Sequence, residues 1–230
     1  MKFRTIANER TSLFYLKLKH PYLKIWYLNQ LASTDSDKKI ITGKALKKEF
    51  RINRITFFRK HIWCHFINDQ IRGWILLKFF RKNYCRLAVS KVDPKGIVNC
   101  FWETVLMLYK YKKRSNGNLD RILYSIDAQH LKYARRPRYF MQFLIKRIGT
   151  FKDLSHKSTR RIRDQIMRQR PVILWIKGLH FDVLQSIIVV GFKRRSFFYL
   201  DPLDHTKFHI IARKPLLKLW EAAGGQGLSC

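Results

Sequence analysis

The chain has 230 residues, 47% of them hydrophobic, with 48 Lys and Arg against 15 Asp and Glu and a formal charge of +33. That is room for one large domain or two small ones, with enough apolar residues to bury a sizeable core. Met1 to Ser12 lacks the apolar centre of a signal peptide, and no apolar run reaches the length of a membrane span, so a soluble, cytoplasmic protein is expected.

The charge divides almost equally about Lys95, so this is no basic tail on a neutral domain. Such a field favours polyanions, either nucleic acid or an anionic membrane surface; the alternative is a merely solvated surface. Cys64, Cys85, Cys100 and Cys230 form no C-x-x-C pair, which suits a reducing compartment.

In chain order, Ser12 to Leu31 interleaves Phe14, Tyr15, Tyr22, Trp26 and Tyr27 with Lys17, Lys19 and Lys24. Rings alternating with cations suit single-stranded nucleic acid, and an amphipathic helix is the other reading. Ala32 to Lys38 reads as a polar linker. In Ile41 to Ile62, Thr42 can cap a helix, Leu46 and Phe50 lie one turn apart, and Asn53 can open a second helix. This stretch resembles the helix-turn-helix of bacterial regulators. The resemblance implies DNA binding, with Arg54, Thr56, Arg59 and Lys60 near bases or phosphates in the major groove. Arg51 stands where the motif has a turn Gly, and Lys47 where it has a small Ala. An ordinary helical pair is the alternative.

His61, Cys64 and His65 have the spacing to share one helix face, and their chemistry suits zinc. No second half of a site follows, so no metal and no other cofactor is expected. Ile71 to Val89 reads as strand or helix. Ser90 to Gly96 is a loop, and the domain boundary is placed at 90/91.

Beyond it, Cys100 to Tyr111 is apolar at helical spacing, opening on Asn99-Cys100-Phe101. Leu119 to Leu131, Arg138 to Ile148 and Ser158 to Arg170 read as helices. Pro171 to Ile176, Leu184 to Phe192 and Ser196 to Leu200 read as strands, the last two joined by a Lys193-Arg194-Arg195 turn. Runs this apolar suggest strands buried on both faces and covered by helices. Leu216 to Ala223 reads as a closing helix, and residues 224 to 230 as a disordered tail.

This succession resembles papain-like cysteine peptidases, in particular those that cut double-glycine leader peptides. In that family the nucleophilic Cys opens a helix, and Cys100, Val105, Met107 and Tyr111 match its spacing. A strand then begins G-K/R-P-V-I, matched by Gln169-Arg170-Pro171-Val172-Ile173. The next strand begins with the catalytic His in H-x-V-V-V-x-G, matched by Gln185-Ser186-Ile187-Ile188-Val189-Val190-Gly191. Asp201-Pro202 matches the Asp-Pro that ends the strand after that. Phe101 replaces the family's Gly, Gln185 its His, and the oxyanion-hole Gln has no counterpart among Lys91, Asp93 and Pro94.

A thiol at a helix N-terminus, in a chain rich in cations, is placed to ionise, so Cys100 is the candidate nucleophile. Its other reading is a small core residue. Asp201 can orient a base, but Gln185 cannot shuttle a proton. His180 is the candidate substitute, provided its loop folds back. In one regular strand its odd separation from Gln185 would point it to the opposite face. His205 and His209 rank below it.

The expected architecture is α+β: a mostly helical basic domain over 1–90, then a papain-like domain over 91–223 with helices on a small antiparallel sheet. The expected function is a non-catalytic peptidase-like protein, binding DNA through its N-terminal half and a peptide or protein partner through its C-terminal half. The alternatives are an active peptidase using Cys100, His180 and Asp201, and a plain nucleic-acid-binding protein.

Overall fold

The computed structural model describes residues 14–19, 25–30, 38–41, 49–58, 60–68, 71–90, 100–113, 151–180 and 182–229. They fall into two compact units, Met1–Ala88 and Val89–Cys230.

The first unit is an antiparallel sheet. Its strands are β1 (Phe14–Leu16), β2 (Ile25–Leu28), β3 (Lys38–Ile41), β4 (Phe50–Phe58), β5 (His61–Asn68), β6 (Ile71–Leu76) and β7 (Tyr84–Leu87). They lie in the order β3-β2-β6-β5-β4-β1-β7. The start of β4 shows why the chain extends here: Phe50 and Ile52 are fully buried while Arg51 between them is exposed, the period of a half-buried strand. Phe66 packs edge-on against Phe50 at 5.3 Å and Tyr27 at 5.4 Å, and Phe80 meets Phe50 at 5.8 Å. These offset ring pairs tie strands distant in sequence into one core.

The expected helix-turn-helix is therefore a β-hairpin. Arg54 and Thr56 lie on β4, paired with His65 and Trp63 of β5. Lys60 sits in the connecting turn in the left-handed region (φ 62°). Arg59, and Thr42 and Leu46 of the expected first helix, lie outside the described residues. Asn53 opens no helix: it is buried beside a bulge between Ile52 and Arg54, its Oδ1 2.7 Å from His65 Nδ1. The Arg54 guanidinium rests 5.8 Å over the Trp74 ring. On β5, alternation puts His61 and His65 on one face and Cys64 on the other, so the three share no face. Burial also pushes the Cys64 thiol far up, away from the thiolate a metal needs. Among the described residues no group of three His, Cys, Asp or Glu is arranged to hold a metal ion.

The second unit contains α1 (Cys100–Lys113), β8 (Lys152–Asp153), α2 (Thr159–Met167), β9 (Val172–Lys177), β10 (Leu184–Lys193), β11 (Ser196–Asp201), β12 (Asp204–Ala212), α3 (Arg213–Ala222) and β13 (Gly227–Ser229). The strands pair antiparallel in the order β12-β11-β10-β9-β13-β8. β9 and β10 are the buried centre, from Val172 to Ile176 and from Gln185 to Phe192. Helix α1 packs on β10, and α3 on β9. Strands buried on both faces under helices are what their unbroken apolar runs demand. The residues 224–230, expected to be a disordered tail, include β13, which pairs with β9 and β8. The helices expected over 119–131 and 138–148 lie outside the described residues.

The expected fold class is thus corrected. The described residues are mostly antiparallel strand with three helices, and the basic first unit is a sheet rather than a helical domain. Its β-branched and aromatic residues win burial as alternating strand faces, which one helical stripe would not give them. No helix among the described residues is long and apolar enough to cross a membrane.

Candidate functional site

Helix α1 begins at Cys100, and its first turn is fastened to β10. Ser186 Oγ lies 2.9 Å from the Cys100 carbonyl oxygen and 3.0 Å from Thr104 Oγ1, which is itself 2.9 Å from the Phe101 carbonyl. Ser186 and Thr104 are fully buried. The Ser186 hydroxyl donates to a carbonyl of the helix's first turn, and the small side chain lets that turn approach the sheet.

The Cys100 sulfur inherits this environment. Burial pushes its thiol above the ordinary value. Hydrogen bonds from the Ser186 and Phe101 backbone N–H groups and from the Ser186 side chain pull the other way, and the Asp201 charge raises it further. A helix dipole and surplus cations favour a ready thiolate. Desolvation and a local carboxylate act against both.

Asp201, at the end of β11, is buried, and its Oδ1 accepts the Leu203 backbone N–H at 2.9 Å. Its Oδ2 lies 2.6 Å from His180 Nε2. His180 belongs to the loop over 178–183 that links β9 to β10, entered through Gly178 at φ 85°. Because it is outside the strand, the opposite-face rule does not bind it, and the loop returns its ring to Asp201. Its side chain remains 39% exposed, so solvent reaches the pair.

Gln185 lies within β10, opposite Ile176 of β9. Alternation sends its side chain to the other side of the pleat from Ser186. Ile188 of β10 pairs with Leu200 of β11, the residue before Asp201. The amide is only 1% exposed, and neither its Nε2 nor its Oε1 has a hydrogen-bond partner among the described residues. The structure thus pairs Asp201 with an imidazole from the loop, while the strand position holds a buried amide. His209 lies instead on β12, 2.9 Å from Asp204 and stacked on Tyr199. The His205 side chain lies outside the described residues.

Glu103 was not singled out in the sequence, where it reads as one acidic residue in an apolar helix. It is buried on α1, and burial first, then the Asp201 charge, raises its carboxyl to about 7. Ser186 and Thr104 were missed as well. The only available signal was a small hydroxyl inside an apolar strand.

No family model matches the chain, and no curated protein matches it. Among solved structures, a protein from Bacillus anthracis described as a C39-like peptidase is similar, at 14% identity and a TM-score of 0.47, over 62% of this chain and 94% of that one. A likeness of this depth does not establish the family.

The Glu103 carboxyl gives a pH signature. In the unfolded chain it ionises from its ordinary value of 4.5, whereas in the folded chain it keeps its proton until about 7. Between those values the folded state binds more protons, so stability falls as pH rises through the window and levels off above it. Urea midpoints measured across the window should show this decline in the parent and a flatter profile in Glu103→Gln, which should also be the more stable protein above pH 7. An identical slope in both proteins would contradict the assignment.

Proposed function

We propose that the second unit is a cysteine-peptidase-like domain that binds a peptide without cleaving it. The observation that carries this reading is the state of the thiol. Cys100 is half-buried, desolvation raises its pKa, and the sulfur is met by Ser186 and by the Phe101 N–H. The strand position that supplies the family's base holds Gln185. An amide cannot take the thiol proton, and a protonated thiol is a poor nucleophile. Val183 and Leu203 are exposed at 54% and 43%, one on the loop that carries His180 and the other just past Asp201. Exposed apolar side chains beside a polar pair suit a peptide's side chains and backbone.

A second reading, an active peptidase, is favoured by the 2.6 Å approach of His180 to Asp201. An imidazole oriented by a carboxylate is two thirds of a thiol-protease triad. One experiment separates the two: fluorescent double-glycine peptides are offered to the parent, Cys100→Ala and His180→Ala. The binding reading expects no cleavage by the parent and equal affinity in Cys100→Ala. Cleavage by the parent that disappears in both variants would replace it with the enzymatic reading. Cleavage that survives in His180→Ala would remove His180 from that role.

For the first unit we propose nucleic-acid binding on the β4–β5 hairpin in place of a recognition helix. Phe57 is 71% exposed there, close in sequence to the exposed Lys60, and a ring beside a cation suits a base and its phosphate. Affinity for duplex or single-stranded DNA should fall steeply with salt. Phe57→Ala with Lys60→Glu should weaken it by about tenfold or more, since one stacked base and one phosphate contact are both lost. Salt-independent binding, or binding unchanged in the double variant, would rule the hairpin out.

A further inference from the structure

Within the second unit, Arg160, Arg163, Arg194, Arg195 and Arg213 line one cleft of about 90 Å³, together with Thr159 and Phe197. They converge from three places: the start of α2, the β10–β11 turn and the first residue of α3. The Arg213 N–H donates to the Arg195 carbonyl at 2.8 Å, which fastens the turn to α3. The Arg163 guanidinium lies 4.5 Å over the Phe192 ring, which orients it.

Like charges this close repel one another unless something neutralises them. Among the described residues no carboxylate does so. The first turns of α2 and α3 hold no acidic residue, and none of the five guanidinium groups has an ion-pair partner among the described residues. Thr159, only 8% exposed, also lines the cleft and brings a hydroxyl to it. Five guanidinium groups without an ion-pair partner among the described residues, gathered at one cleft with a hydroxyl beside them, are the chemistry of an anion site. The N-termini of α2 and α3 add backbone N–H groups and partial positive charge.

We propose that this cleft binds a compact, multiply charged phosphate group, of the pyrophosphate or phosphomonoester class. A nucleic-acid backbone fits less well. Its diesters carry one charge each, spaced along a track, and proteins meet them with cations strung out in the same way. Here the donors converge on one concave point and suit several oxygens on a single centre. Guanidinium forks match that geometry, with two parallel N–H groups to two oxygens. The proposal is independent of the reading of the thiol site.

Calorimetric titration of the full chain with inorganic pyrophosphate, at physiological salt and with sulfate as the control anion, tests it. Saturable one-to-one binding, tighter for pyrophosphate than for sulfate, is expected. Arg195→Ala with Arg213→Ala should weaken it by about tenfold or more, since charge-assisted hydrogen bonds are lost. Arg168→Ala with Arg170→Ala, which removes the same charge at exposed positions that do not line the cleft, should leave it unchanged. Equal weakening by both pairs would reduce the effect to the general field and overturn the proposal. So would sulfate binding as tightly as pyrophosphate, or displacement of pyrophosphate by a 5′-hydroxyl oligonucleotide at equal phosphate concentration.

Discussion

The contact between Ser186 and the first turn of α1 sets everything else at the thiol site. One hydroxyl on a buried strand lies against the Cys100 carbonyl and Thr104, and so brings the head of the helix onto β10. Burying such groups is tolerable only while they stay paired, since a lone donor or acceptor costs about 1–3 kcal/mol. The close approach determines how deep the sulfur lies, and depth determines its ionisation. A helix N-terminus offers roughly half an elementary charge to a thiolate. At Cys100 the cost of taking the charge out of water works against that offer.

The overall charge does not reverse this balance. The chain carries +33, yet the groups that shape the site are Asp201 and Glu103, both buried. Screening confines the influence of surface cations to about 8 Å at physiological salt, while buried neighbours are screened far less. A strongly basic protein therefore holds a locally acidic pocket. The positive charge gathers elsewhere in the second unit, where five arginines meet at the heads of two helices.

Much of the second unit was legible in the sequence because its signals are continuous. Val172 to Ile176 and Ile187 to Val190 are apolar without a break, which suits strands covered on both faces, and Cys100 does open a helix. The first unit was not legible. Leu46, Phe50 and Asn53 imitate helical spacing, and the bulge between Ile52 and Arg54 interrupts the two-residue period that would have announced β4. The turn after it carries Lys60 in a left-handed conformation where glycine or asparagine is the usual signal. At the site, the family resemblance singled out Asp201 and made His180 a candidate only if its loop folds back, and local spacing could not say that the loop would bring the two together. That depends on a turn through Gly178 and on register, and neither is written in the local pattern. The arginine cleft is likewise assembled from turns and helix heads distant in sequence.

The account stands most directly on the charge state of one sulfur atom. Thiolate ultraviolet absorbance, followed from acid to alkaline pH as the difference between the parent and Cys100→Ser, reads it without a substrate. The account predicts a single ionisation with its midpoint above 9.0, the ordinary thiol value, unchanged in His180→Ala. Thiolate absorbance already present at neutral pH and lost in His180→Ala would contradict it, by showing an imidazolium paired with the sulfur.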